Sequence, residues 1–299
     1  MEKEKALRKV INLPSRNKKD KSVENKYSGS YTRVISITSG KGGVGKTNIV
    51  ANLGYALGQL GKKVLILDAD LGLANLDVIL GITPKYNFAH VIEGEKSIRE
   101  ITVKGPGNIE ILPASSGIQE LTNLSIEQGI RFLSELDSLL NSFDIFLIDT
   151  AAGISSNVMY FNATAQEIIV VVSPEPTSIT DAYALMKVLS LKYSIRDFKL
   201  VVNMVGNDDE AYEVFRQLSL VADRFLDISI EYLGFVLHDK NISKSVRYQK
   251  LVSELFPDCY ASKCFNSLAK KILSLKANNI PRGHTNFNWR HLLIKNSDW

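Results

Sequence analysis

Gly40-Lys-Gly-Gly-Val-Gly-Lys-Thr47 constrains this chain more than any other stretch, because it meets the spacing G-x-x-x-x-G-K-[ST] at every fixed position. Glycines carry no Cβ, so consecutive backbone N–H groups can curl round a phosphate. A lysine placed as Lys46 reaches the outer phosphates, and a hydroxyl placed as Thr47 ligates Mg²⁺. The flanks agree with this chemistry. Arg33-Val-Ile-Ser-Ile-Thr38 reads as a buried strand, and Thr47 to Leu60 reads as a helix whose N-terminal dipole end adds to the anion site. Gly40, Lys41, Gly42, Gly43, Val44, Gly45, Lys46, Thr47 and Asn48 are therefore the expected contacts of a nucleotide bound with Mg²⁺.

The remaining polar residues of such a site should stand at the C-terminal ends of neighbouring strands, where open α/β sheets bind ligands. Lys63-Val-Leu-Ile-Leu-Asp68 reads as the second strand and runs into Asp70, Asn75 and Asp77. Asp68 is placed to hold Mg²⁺ through water and Asp70 to orient the attacking water. Phe143-Asp-Ile-Phe-Leu-Ile-Asp149 is a further strand, with Asp149 placed for the Mg²⁺ shell. Gly153 lets a backbone N–H approach the γ-phosphate. The segments after Asp68 and Asp149, with Asn75 and Gly153 in them, are those a γ-phosphate would order and hydrolysis release. Asn203, near the end of a strand over Phe198 to Met204, is placed for the adenine edge.

Strands alternating with helices predict an α/β fold, a doubly wound and mostly parallel sheet with helices on both faces. Further strands are expected at 109–112, 168–173 and 228–236. Helices are expected at 125–141, where Ile130, Leu133, Leu136 and Leu140 share a side, and at 177–193, 208–226 and 258–276. In the last, Ala261, Cys264, Phe265, Leu268, Ile272 and Leu275 form a stripe expected to face the core. Residues 82–122 are rich in Pro and Gly, which predicts loops and short helices.

Three segments follow: a basic N-terminal tail with a short helix over 1–30, an ATPase domain over 31–276, and a C-terminal tail over 277–299. The tails hold the positive charge, with nine Lys/Arg against four Asp/Glu in 1–30 and three against one in 277–299. The body is left slightly acidic within a net charge of +4, a poor fit to a broad nucleic-acid-binding face. Trp289, Leu292 and Leu293 beside Arg290 and Lys295 form a short amphipathic segment suited to an anionic membrane surface. No apolar run approaches a membrane span, and the charged N-terminus has no signal-peptide centre, so a cytoplasmic protein is expected. Cys259 and Cys264 make no C-x-x-C motif, which counts against cluster-bearing relatives of the same loop.

Lys41 narrows the class. K-G-G-V-G-K-T resembles the deviant Walker A loop of the MinD/ParA ATPases. Ser39 to Asn48, Asp68 to Gly81 (D-A-D-L-G-L-A-N-L-D-V-I-L-G), Ile148 to Ser155 and Pro174 to Leu185 are together similar to the branch of flagellar-number regulators called FlhG, FleN or YlxH. Ala74 stands where division-site MinD proteins usually have Arg. The resemblance spans about residues 33 to 255. It implies a MinD-like fold and slow ATP hydrolysis gated by an ATP-dependent homodimer, with Lys41 acting across the interface on the partner's nucleotide. It also implies association with the inner face of the cell membrane, an FlhF-type GTPase and flagellar switch-ring proteins as partners, and a role in flagellar number and placement. By the same resemblance Asp70 positions the water, Asp149 supports the metal and Asn203 reads adenine. The branch's N-terminal activator motif is similar to D-Q-A-x-x-L-R, whereas Glu4-Lys-Ala-Leu-Arg8 has a shorter spacing and no Gln. A division-site MinD, a ParA-like DNA segregation ATPase and a nucleotide-binding scaffold without turnover remain as alternatives.

Overall fold

A computed structural model describes residues 32–70, 75–113 and 126–276, without the side chains of several residues early in the helix after 126. The expected tails at 1–30 and 277–299 lie outside the described residues, as do Ser125 and the side chains of Ile130 and Leu133. The described strands are β1 (Arg33–Ser39), β2 (Val64–Ala69), β3 (Val103–Lys104), β4 (Ile109–Pro113), β5 (Ile145–Ala152), β6 (Glu167–Val172), β7 (Asp197–Val205) and β8 (Ser229–Leu237). Between and after them lie α1 (Lys46–Gln59), α2 (Leu76–Leu80), α3 (Phe88–Ile92), α4 (Ile98–Ile101), α5 (Ile126–Leu140) and α6 (Ser156–Thr164). The later helices are α7 (Pro176–Tyr193), α8 (Asp208–Phe225), α9 (Lys240–Arg247), α10 (Val252–Leu255) and α11 (Tyr260–Ser274).

The strands form one sheet in the order β3-β4-β2-β5-β1-β6-β7-β8, parallel except for β3 against β4. This is the expected doubly wound sheet. After β1 the chain moves outward to β2 and returns with β5 into the slot between them. It then continues with β6 on the other side of β1. Reversal at β1 opens a crevice at the strands' C-terminal ends, where this architecture binds ligands.

Alternating side chains of each strand feed opposite faces. Ile35, Ile37, Val64 and Ile66 pack with α1 and α11 on one side. Val34, Leu65 and Leu67 pack with α3, α4 and α5 on the other, beside a second group in which Val170, Val172 and Leu200 meet α6, α7 and α8. Central strands covered on both faces read as unbroken apolar runs. The stripe on α11 faces the core as expected: Ala261, Phe265, Leu268 and Ile272 are buried, with Cys264 and Leu275 partly so. Cys259 sits just before the first turn of α11 rather than inside it. Four helices had no forecast: α2, α6, α9 and α10. Asp239 accounts for one of them, since its carboxylate accepts from Asn241 N at 2.8 Å and Ala261 N at 3.3 Å, capping α9 and bracing the start of α11. No described helix is long and apolar enough to cross a membrane.

At the opposite edge of the sheet, a buried ion pair ties its start to the C-terminal helix. Arg33 Nε and Nη2 donate to Glu167 at 2.5 and 2.8 Å, and Arg33 Nη1 donates to Ile272 O at 2.5 Å. Lys199 Nζ approaches the same carboxylate at 3.3 Å. Removing one member of such a pair leaves uncompensated buried charge and typically costs about 3–5 kcal/mol. Glu167→Ala is therefore expected to lower the unfolding free energy by about that amount in urea. Nucleotide affinity under native conditions should be retained, because β6 begins at the end of the sheet away from the loop.

Candidate nucleotide site

The loop after β1 wraps the crevice between β1, β5 and β7. Gly40 lies so close to α7 that a Cβ there would fall 2.2 Å from the Asp181 carbonyl carbon, so only glycine fits. Gly43 and Gly45 have φ of +80° and +82°, and a Cβ on Gly42 or Gly43 would meet no atom within 4 Å. Those open positions leave a backbone-lined hollow. Gly45 precedes α1, so the hollow faces a helix N-terminus. Asn48 lies in the first turn of that helix, and its carbonyl accepts from Asn52 Nδ2 at 2.9 Å.

Lys46 is buried, and its Nζ donates to Asp149 Oδ1 at 2.6 Å. The Thr47 hydroxyl donates to Asp149 as well. Asp68 stands directly opposite Asp149 in the β2–β5 register. Burial above all, and then the neighbouring Asp149, pushes the Asp68 carboxyl up to about 7. Asp149 is raised by burial too, against the lowering effect of Lys46 and Thr47. Asp68 also accepts from Asp70 N at 3.2 Å and Leu76 N at 3.3 Å, so it caps α2 where the exposed Asn75 makes no side-chain cap. Asp70 is half-buried near both carboxylates and raises their proton affinity. The set comprises one buried ammonium, a hydroxyl, two buried carboxylates short of positive charge, and a hollow lined by backbone. Those hard oxygen donors fit a phosphate chain carrying Mg²⁺.

Three expected residues are held in ways the sequence did not foretell. Lys41 Nζ donates to Glu175 at 2.5 Å and to Thr177 Oγ1 at 2.9 Å, both of the same chain. With the two side chains 37% and 63% exposed, that ion pair contributes only about 0.2–1 kcal/mol, and a competing acceptor can displace it. The Gly153 N–H is donated to Ser39 O at 2.9 Å, and φ is +91° there. Asn203 is buried, and its Nδ2 donates to Val44 O at 2.8 Å. Sequence reasoning missed Glu175 as a partner of Lys41. A carboxylate between a strand end and a Pro-initiated helix was the available signal. It also missed Asn162, fully buried behind the loop, which accepts from Ser36 Oγ at 2.7 Å and donates to Thr38 Oγ1 at 3.2 Å. Nothing in its local pattern marks it.

The Asp68 carboxyl sets a pH dependence with a definite sign. Between its ordinary value of 3.8 and about 7 the folded protein holds a proton that the unfolded chain has released, so stability falls as pH rises through that window. Without divalent cations, the unfolding free energy should drop by a few kcal/mol from pH 4 to pH 7 (both approximate), and Asp68→Asn should flatten that drop. Urea titrations at several pH values measure it.

A family model described as an AAA domain matches residues 32–200. The chain is 44% identical over 255 residues to the antiactivator FleN of Pseudomonas aeruginosa, covering 85% of this chain and 91% of that one. It is 34% identical over 244 residues to the flagellum site-determining protein YlxH of Helicobacter pylori, covering 81% and 82%. Among solved structures, the septum site-determining protein MinD of Pyrococcus horikoshii complexed with Mg-ADP superposes with a TM-score of 0.63 at 27% identity, covering 81% of this chain and 96% of that one. Loop, sheet order and similarity over most of the length thus converge, and the chain belongs to the MinD/ParA family of phosphate-loop ATPases, in the branch that holds the flagellar regulators FleN and YlxH.

Proposed function

We propose that this protein is an ATP-driven switch that pairs with a second copy of itself when ATP is bound and regulates flagellar number and placement. The observation that carries the mechanism is the position of Lys41. It stands at the mouth of the hollow on a weak, exposed contact, available to a neighbouring copy at little cost. The flagellar output is supported by FleN and YlxH, one an antiactivator and the other a flagellum site-determining protein.

In this mechanism the loop amides and Lys46 hold the phosphates, and Lys46 leaves Asp149 to do so. Thr47 and Asp149, with Asp68 behind them, would hold Mg²⁺, which would supply positive charge to offset that of the phosphate chain. Asp70 orients the attacking water, and Lys41 of one copy reaches the phosphates bound by the other. Asn203 offers its Oδ1 to the amino edge of adenine. The segments at Asn75 and Gly153 change partners as the γ-phosphate comes and goes, the Gly153 N–H giving up Ser39 O. An FlhF-type GTPase and switch-ring proteins are the partners this branch implies. The 277–299 tail, presented twice in the dimer, gives a peripheral membrane contact by avidity.

Asp70→Ala is expected to lower the hydrolysis rate about 100-fold or more while ATP still binds. Light scattering of that variant should show a dimer with ATP and a monomer with ADP, and adding Lys41→Ala should abolish the dimer. A monomer with ATP overturns the switch.

A further inference from the structure

We propose that Asn203 is a positioning residue that sets the shape of the phosphate loop, by holding the Val44 carbonyl from a strained bulge at Met204. This rests on the nucleotide-site reading above and adds a role separate from base recognition.

The geometry begins with Met204. Its φ is +62°, the left-handed region that non-glycine residues rarely adopt, and it is 42% exposed, so no core packing compels that conformation. The pairing of β7 with β8 slips at this point, with Asn203 opposite Val236 and Val205 opposite Leu237, leaving Met204 as an extra residue. Bulges of this kind re-aim a neighbouring side chain, and backbone strain held in place beside a binding site points to a use for it. The side chain beside the bulge is Asn203. Its Nδ2 donates to Val44 O at 2.8 Å across 159 residues of sequence, and the amide is buried. Gly45 is shaped to receive it: a Cβ there would lie 2.4 Å from Asn203 Nδ2 and 3.3 Å from Met204 Cε.

What this bond controls follows from the peptide plane. The Val44–Gly45 peptide is trans and planar, so its C=O and N–H point to opposite sides. Holding the Val44 oxygen against Asn203 therefore turns the Gly45 N–H away from β7, toward the hollow that receives phosphate. The donor used is Nδ2, so Oδ1 can serve a base at the same time. The brace acts on the phosphates, whatever base they carry.

Calorimetry with three probes in the presence of Mg²⁺, ATP, GTP and inorganic tripolyphosphate, separates the two roles. Because its carboxylate also repels phosphate, Asn203→Asp, which keeps the shape and removes the donor, is read together with the uncharged variant Met204→Val. Asn203→Asp is expected to weaken all three probes by a similar factor, about tenfold, with the ratio of ATP to GTP affinity nearly unchanged. Met204→Val, a β-branched residue that resists positive φ, should weaken all three in the same way. Thermal unfolding checks that both variants fold; Met204 is exposed, so its replacement leaves the core intact. Loss of ATP affinity alone, with tripolyphosphate binding unchanged in both variants, would overturn the brace and leave Asn203 as a base contact. Wild-type protein that binds none of the probes would overturn the nucleotide site itself, and the brace with it.

Discussion

Lys46 and Asp149 form a buried ion pair at 2.6 Å, and Asp68 faces the same point from the next strand. One ammonium, paired with Asp149, thus stands against two carboxylates in a place where solvation is poor. Isolated buried charge is expensive, and here the deficit shows as an Asp68 carboxyl raised to about 7. The topology assembles this cluster, since β5 lies between β2 and β1 and sets Asp68, Asp149 and the loop lysine side by side. The same imbalance favours a phosphate chain and a cation arriving together. Phosphate alone would draw Lys46 off and leave two carboxylates facing each other, whereas a cation alone would crowd the ammonium.

Around that cluster the loop is anchored unequally. At its inner end Val44 is buried, its carbonyl is held by a buried amide, and Lys46 is buried. At its outer end the Gly40 backbone rests on α7, but the Lys41 head lies in an exposed contact with Glu175 and Thr177. Buried, hydrogen-bonded anchors hold geometry, and exposed ion pairs in high dielectric do not. The inner end, with Val44 and Lys46, is therefore the stiff one. The end that carries the second lysine can change partners without disturbing it.

Most of this was legible in the chain because the constraints are local or periodic. The loop motif needs consecutive residue types, and central strands such as Val64–Ala69 show as apolar runs because both faces are covered. The stripe on α11 repeats at helical spacing. What stayed hidden depends on contacts between distant segments. Asn162 looks like any helical polar residue until it meets Ser36 and Thr38 on β1, and Arg33 looks like a strand-edge charge until Glu167 and Ile272 arrive beside it. Helix α9 is two turns long and strongly polar, with few apolar residues to mark it, and the cap that fixes it comes from Asp239 acting on two helices at once. A positive φ at Met204 contradicts residue preference outright, so no propensity argument finds it.

That contradiction fits a pattern in the sheet. Of its three register slips, one falls between Ile37 and Ser39 against β5 and another between Asn203 and Val205 against β8, both at the C-terminal edge that carries the loop. The opposite edge is where Arg33, Glu167 and Lys199 lock strands β1, β6 and β7 together with α11. Irregular backbone at one end of a strand is tolerable only if something else fixes the strand. The buried ion cluster supplies that at the far end, and the two core faces supply it in the middle. Strain concentrated where phosphate would sit is then a consequence of where the sheet can absorb it, and it lets the loop depart from regular geometry without loosening the fold.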